Sequence, residues 1–162
     1  MKRVFATIVV VAFTILGALA QESGMAPKLQ TMGGNESVNI DGLINRYFDS
    51  LNETNDKRRR ELTRLVWAEK GKFGTPYGEV EGWDAIDSLV AGVQKQFPNS
   101  VVRRTSRIDG FGRYLRWSFT LSDADGTPIL SGVDFAFLAD GKLQLVMGFF
   151  DFAPSPPGKP TP

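Results

Sequence analysis

The hydrophobic period of this chain changes once, at Pro98, and that change constrains the fold more than any other feature. Before Pro98 the apolar residues recur at helical spacing. After it they alternate, and "DGFG", "DADGT" and "ADG" interrupt the alternation as turn signals built on Gly or Asp-Gly. Helices first and an antiparallel meander second describe an α+β domain, with helices packed on one face of a strongly curved antiparallel sheet.

The first helical stripe is Ile40, Leu43, Ile44, Tyr47, Phe48 and Leu51, with Ser37 or Asn39 available as a cap and "NETND" ending it. A second helix is predicted over about 57–67. Its narrow apolar stripe is Leu62, Leu65 and Val66, and its "KRRR" run is read as a solvated face. "EKGKFGTPYGEVEG" reads as a Gly-rich connection with room for a short hairpin. The third helix, about 83–97, carries Ile86, Leu89, Val90, Val93 and Phe97, and Pro98 stops it. Four strands follow, over about 100–109, 112–122, 128–138 and 142–151.

The chain ends bound the domain. "MKR" followed by the apolar run "VFATIVVVAFTILGALA" and the small-x-small site Ala18-Leu19-Ala20 reads as a secretory signal peptide over 1–20. The alternative is an uncleaved membrane anchor. Residues 21–36 form a polar lead-in, 37–152 the domain, and 153–162, "APSPPGKPTP", a Pro-rich tail that cannot pack a core. The expected location is therefore secreted or periplasmic, with no membrane association after cleavage. The sequons Asn35-Glu36-Ser37 and Asn52-Glu53-Thr54 matter only in a eukaryotic secretory host.

Composition removes whole classes of chemistry. There is no Cys and no His, which excludes disulfides, thiol nucleophiles, imidazole bases and the usual zinc sets. No Gly-rich phosphate loop appears, so no cofactor or metal is expected. "DADG" at 123–126 lacks the later ligands of a calcium loop and reads as a hairpin turn. Of 19 basic residues, Lys2 and Arg3 lie in the signal, which leaves 17 against 18 acidic ones and gives no general attraction to nucleic acid. Arg103, Arg104, Arg107, Arg113 and Arg116 read as a solvated rim.

The strand faces are uneven. In 112–122, Leu115, Trp117, Phe119 and Leu121 oppose Tyr114, Arg116, Ser118 and Thr120. The next two strands are apolar on both faces. A sheet covered on one side only should carry a polar outer face, so the apolar outer face points to a homodimer through the sheet, the alternative being a strand enclosed in a core or covered by the tail. One charge interrupts the third strand. Asp134 shares a face with Leu130, Gly132, Ala136 and Leu138. A buried carboxylate has to be paired, protonated or functional. Two readings stand: an acid facing a ligand, or a structural carboxylate bonded by Tyr47, Trp83 or backbone.

The segments "INRYFDSLNETN", "GWDAIDSLVAGVQKQFP", "RYLRWSF", "GVDFAFLADGKL" and "GFFD", in this order, span Ile40 to Asp151. The chain resembles the nuclear transport factor 2-like superfamily, and within it the SnoaL-like proteins related to ketosteroid isomerase. The resemblance implies a cone-shaped domain with a pocket open at one end. It makes Asp134 the counterpart of that enzyme's pocket acid and Tyr47 the counterpart of its oxyanion-hole tyrosine. Trp117, Phe119, Val146, Phe150, Thr75 and Trp83 become pocket residues. An acid held protonated by an apolar site can donate to an oxyanion. The sequence departs from the family at the general base, an Asp before a Pro, where this chain has Thr75-Pro76. Glu69, Glu79 and Asp109 are the substitutes to consider. The expected role is binding of a small, mainly apolar molecule. An isomerase, cyclase or dehydratase using Asp134 and Tyr47, or a non-catalytic dimeric module, is the alternative.

Overall fold

The computed structural model describes residues 39–152. The signal segment, the lead-in, Ser37 and the Pro-rich tail lie outside the described residues. Three helices, α1 (Ile40–Asn52), α2 (Asp56–Val66) and α3 (Trp83–Gln96), pack on a seven-stranded sheet. Among the described residues no helix is long and apolar enough to cross a membrane.

Asn39 caps α1, its side-chain oxygen accepting from the Gly42 amide at 2.8 Å. Leu43, Ile44, Tyr47 and Phe48 are buried, as the helical stripe requires. Asn55 caps α2 in the same way. The inner stripe of α2, however, is Arg59, Leu62, Thr63 and Val66, at i, i+3, i+4 and i+7. Leu65, expected inside, is 53% exposed, while Arg59, expected in water with its basic neighbours, is only 2% exposed.

Burial of that arginine is offset by partners on α2 and α3. Its Nε donates to Asp87 Oδ1 on α3 at 2.8 Å, and one terminal nitrogen donates to Asp56 Oδ1 at 2.9 Å. The other reaches the Gln94 side-chain oxygen at 3.2 Å. Gln94 in turn donates to the carbonyls of Leu51 and Glu53, closing the C-terminal end of α1. Asn52 then ties α1 to the sheet: its amide donates to the Val102 carbonyl and accepts from the Val102 amide, both at 2.8 Å.

The sheet order is β2-β1-β7-β6-β5-β3, with β4 also pairing β5. The strands are β1 (Trp67–Thr75), β2 (Gly78–Glu81), β3 (Val101–Arg104), β4 (Asp109–Phe111), β5 (Tyr114–Ser122), β6 (Pro128–Ala139) and β7 (Lys142–Phe152). Two features differ from the sequence expectation. The segment read as a Gly-rich connection with room for a short hairpin is that hairpin, β1 with β2, but β1 also pairs in parallel with β7, so the sheet is mixed. Between Trp67 and Lys72 the register slips, five residues of β1 spanning what two residues of β7 span. That irregularity erases the period-two signal. The strand expected over 100–109 is two pieces, β3 and β4, either side of a break. There the Thr105 amide donates to the Ser118 carbonyl, and the Ser106 hydroxyl accepts from the Ser118 amide, so Ser118 keeps both backbone partners.

The inner face of the sheet matches the alternation. Leu115, Trp117, Phe119, Leu121, Ala136, Leu138, Leu143 and Val146 are buried against α1 and its neighbours. On the outer face Phe111, Tyr114, Phe135 and Phe149 are exposed by 75, 43, 36 and 61%. Tyr114 packs on Phe111, Phe135 and Phe137, so three of the four form one aromatic patch.

Candidate functional site

The helices do not seal the sheet along its whole length. Ile86 and Val90 of α3 reach the core, but Leu89, Val93 and Phe97 stand away from the strands and roof a cavity of about 590 Å³. Its floor is the inner face of β5, β6 and β7 through Phe119, Leu121, Leu130 and Phe150. α1 contributes Tyr47 and Leu51, and β1 contributes Phe73 and Thr75. Ser88 and Gln96, both exposed, stand on the rim. A concave, largely apolar space with few polar groups is the usual form of a small-molecule site.

Asp134 supplies the polar end. It is 3% exposed, and it lines the cavity. Tyr47 Oη donates to its Oδ2 at 2.9 Å and Trp117 Nε1 donates to the same oxygen at 3.1 Å. Both donors converge on one carboxyl oxygen. Burial raises the acid to about 7, and the two hydrogen bonds only partly oppose that rise. Burial, and then the neighbouring Asp134, push the Tyr47 hydroxyl well above its ordinary value, so this tyrosine keeps its proton.

Room for the carboxyl comes from across the strand pair. Asp134 faces Gly148 on β7, and a Cβ at Gly148 would stand 3.2 Å from Asp134 Oδ1 and 3.1 Å from the Phe150 ring. Gly132, which shares the strand face of Asp134, has another role. A Cβ there would collide with the Phe149 carbonyl at the register shift between β6 and β7.

Tyr47, Asp134, Thr75, Phe119 and Phe150 are thus brought together around one cavity. Three residues expected beside them lie elsewhere. Trp117 holds Asp134 from behind and is not part of the lining. Val146 is fully buried in the core opposite Ala136 and Phe73. Trp83 donates its Nε1 to the Trp67 carbonyl at 3.0 Å and carries the Arg64 guanidinium over its ring at 5.6 Å, away from Asp134. Phe73 escaped the sequence reading because it sits in the segment taken for a connection. Its only signal was an aromatic flanked by glycines.

None of the substitute bases considered, Glu69, Glu79 and Asp109, reaches the cavity. Thr75 Oγ1 accepts from the Tyr77 amide at 3.2 Å and holds the β1–β2 turn. Glu79 is paired with Lys72 at 3.1 Å, Asp109 with Arg116 at 2.9 Å, and Glu69 is exposed on β1. None of the three carboxylates lines the cavity.

No protein-family profile and no curated protein sequence matches the chain. Solved structures do. A candidate isomerase of the SnoaL-like family from Agrobacterium tumefaciens superposes with a TM-score of 0.65 at 28% identity, over 68% of this chain and 96% of that one. A candidate ketosteroid isomerase from Kribbella flavida gives 0.54 at 25%, over 73% and 82%. A candidate SnoaL-like polyketide cyclase from Jannaschia sp. gives 0.59 at 18%, over 75% and 91%, a likeness that speaks for the fold alone.

Three helices on one face of an unclosed mixed sheet, with a cavity left between them, define a small α+β pocket domain. The fold resembles that of the nuclear transport factor 2-like superfamily, and the chain's structural neighbours include SnoaL-like, ketosteroid isomerase-like and nuclear transport factor 2-like proteins.

Proposed function

We propose that this chain is an exported SnoaL-like pocket protein that holds a small, mainly apolar molecule, with Asp134 and Tyr47 at the polar end of its site. One observation carries the reading: a 590 Å³ cavity walled by apolar side chains, into which a single buried carboxyl projects. The test is saturable binding of Nile red, a neutral apolar dye, followed by fluorescence. One dye per chain is expected, and Leu130→Trp should abolish binding while leaving the far-ultraviolet circular dichroism unchanged. Equal binding to the wild type and to Leu130→Trp would overturn the reading.

The enzymatic alternative is an isomerase, cyclase or dehydratase in which Asp134 and Tyr47 stabilise a developing oxyanion. Its support is the acid held near neutrality and the names of the structural neighbours. Against it stand the missing base and the commitment of the Tyr47 proton to Asp134 rather than to the cavity. Turnover of a ketosteroid that is lost in Asp134→Asn would favour the alternative.

The working form is a homodimer joined through the outer face of the sheet. The exposed aromatic residues Phe111, Tyr114, Phe135 and Phe149 support it, since solvated sheet faces ordinarily alternate with polar residues. Sedimentation at micromolar concentration should give twice the chain mass, and Phe135→Asp should return it to one. A monomer mass for the wild type removes the dimer.

A further inference from the structure

The domain buries two aspartates and treats them differently. Asp87, 6% exposed, receives the Arg59 guanidinium at 2.8 Å. Asp134, 3% exposed, receives no cation, because no ion pair among the described residues includes it. Among the described residues the cavity lining contains no Lys or Arg, and its titratable residues are Tyr47, Tyr77 and Asp134. The fold answers one buried carboxylate from within and leaves the other facing an open space.

The hydrogen bonds give that space a polarity. Tyr47 Oη and Trp117 Nε1 both donate to Oδ2, so neither proton is offered to a ligand. Asp134 and Tyr47 both line the cavity, and what they have left to offer is acceptor: Oδ1, which takes neither donor and stands beside the missing Cβ of Gly148, and the lone pairs of the Tyr47 hydroxyl. The cavity is lined as well by the rings of Tyr47, Phe73, Phe119 and Phe150. Aromatic faces attract cations, and a desolvated carboxylate attracts them more strongly still. At this end of the cavity a carbonyl ligand finds a donor only where Asp134 carries its proton on Oδ1. Other donors of the lining, Ser88 and Gln96 among them, stand on the exposed rim.

We propose that the occupant of the cavity is an apolar amine, bound as its ammonium ion against Asp134 Oδ1, with its apolar body along Leu121, Leu130 and Val93. The proposal rests on the pocket reading above and names the ligand class of that same site. An ammonium beside the carboxyl favours its ionised form, so binding expels whatever proton Asp134 holds, and the buffer takes it up.

The probes are aminoadamantane, adamantanol and adamantanone, which share one rigid apolar body and differ in a single polar group. They are titrated into the full chain by calorimetry near neutral pH, in two buffers of different ionisation enthalpy. The amine should bind about tenfold or more tightly than either neutral probe. Its enthalpy should depend on the buffer, reporting the released proton, while that of the alcohol should not. Asp134→Asn should bring the amine down to the affinity of the alcohol and leave the alcohol within about threefold of wild type. If that variant does not fold, the ratios on the wild type decide. Adamantanone binding as tightly as the amine overturns the proposal, as does an amine affinity unmoved by Asp134→Asn. Nile red binding with no amine preference leaves the pocket reading intact and removes the amine. Absence of binding by Nile red and by all three probes removes both.

Discussion

Tyr47 Oη lies 2.9 Å from Asp134 Oδ2, although 87 residues of chain separate the two, and this contact joins the first helix to the third strand of the meander. The carboxyl at its end is buried and lifted to about 7.

That lift has a sign. Between the usual carboxylate value near 3.8 and about 7, the folded chain keeps a proton that the unfolded chain has lost. Folding stability therefore falls as pH rises through this window and is level above it, by an amount on the order of 4 kcal/mol. Thermal melts of ligand-free protein across the window should show the decline, and Asp134→Asn should flatten it. Parallel pH profiles for the two proteins would contradict an acid held neutral by its surroundings.

Tyr47→Phe keeps the ring contacts with Phe48, Trp67 and Trp117 and deletes only the donor. Asp134 is then left with Trp117 alone, its ionised form loses support, and its titration moves further up. The expected cost at neutral pH is about 1–2 kcal/mol in chemical denaturation. A second readout separates this from general damage. The pH at which stability levels off should rise in Tyr47→Phe and stay put in Phe48→Leu.

Much of this was legible in the sequence. Ile40 through Leu51 announced α1, Asp134 stood out as a charge in an apolar strand, and the alternation in Tyr114–Ser122 gave the inner face of β5. What was not legible depended on contacts distant in the chain. β1 pairs in parallel with the last strand, a partner some seventy residues away (Phe73 beside Val146), and its register slip destroys local periodicity. Arg59 looked like its exposed neighbours, because only the fold brings Asp87 and Gln94 to its side. Trp83 was read as a partner for Asp134 and Trp117 only as a pocket wall. Strand pairing, which sets Trp117 directly opposite Asp134, makes Trp117 the partner instead.

Arg59 and Asp87 form the buried charge pair between α2 and α3. Breaking it from either side strands a charge in a desolvated place, so Arg59→Met and Asp87→Leu should each cost about 3–5 kcal/mol. Together they leave no charge unpaired, and the double variant should be markedly more stable than the sum of the singles implies. A double-mutant cycle by urea unfolding measures this. Strict additivity would mean the pair is not coupled.

Asn52 occupies the place of a strand partner for Val102, donating to its carbonyl and accepting from its amide at 2.8 Å each. Asn52→Ala leaves both backbone groups of a partly buried edge strand without that partner. The expected loss is about 1–3 kcal/mol. Hydrogen exchange should locate it, with the Val102 amide exchanging faster while amides in the centre of β6 change only by the global loss. Unchanged protection at Val102 would show that water replaces the side chain at no cost.

Gly148 and Gly92 separate space from backbone effects at the cavity. A methyl group at Gly148 would press on Asp134 Oδ1 and on the Phe150 ring, at 3.2 and 3.1 Å, whereas at Gly92 within α3 it would meet nothing within 4 Å. Gly148→Ala should therefore destabilise by about 1–3 kcal/mol through overpacking. Gly92→Ala should stabilise by about 0.4–1 kcal/mol, because alanine has less freedom to lose on entering a helix. The two should also differ in binding. Gly148→Ala displaces Oδ1, the carboxyl oxygen that takes neither donor, so it should weaken aminoadamantane more than adamantanol, while Gly92→Ala should preserve the ratio between them. An unchanged ratio in Gly148→Ala would place the ammonium somewhere other than beside Asp134 Oδ1.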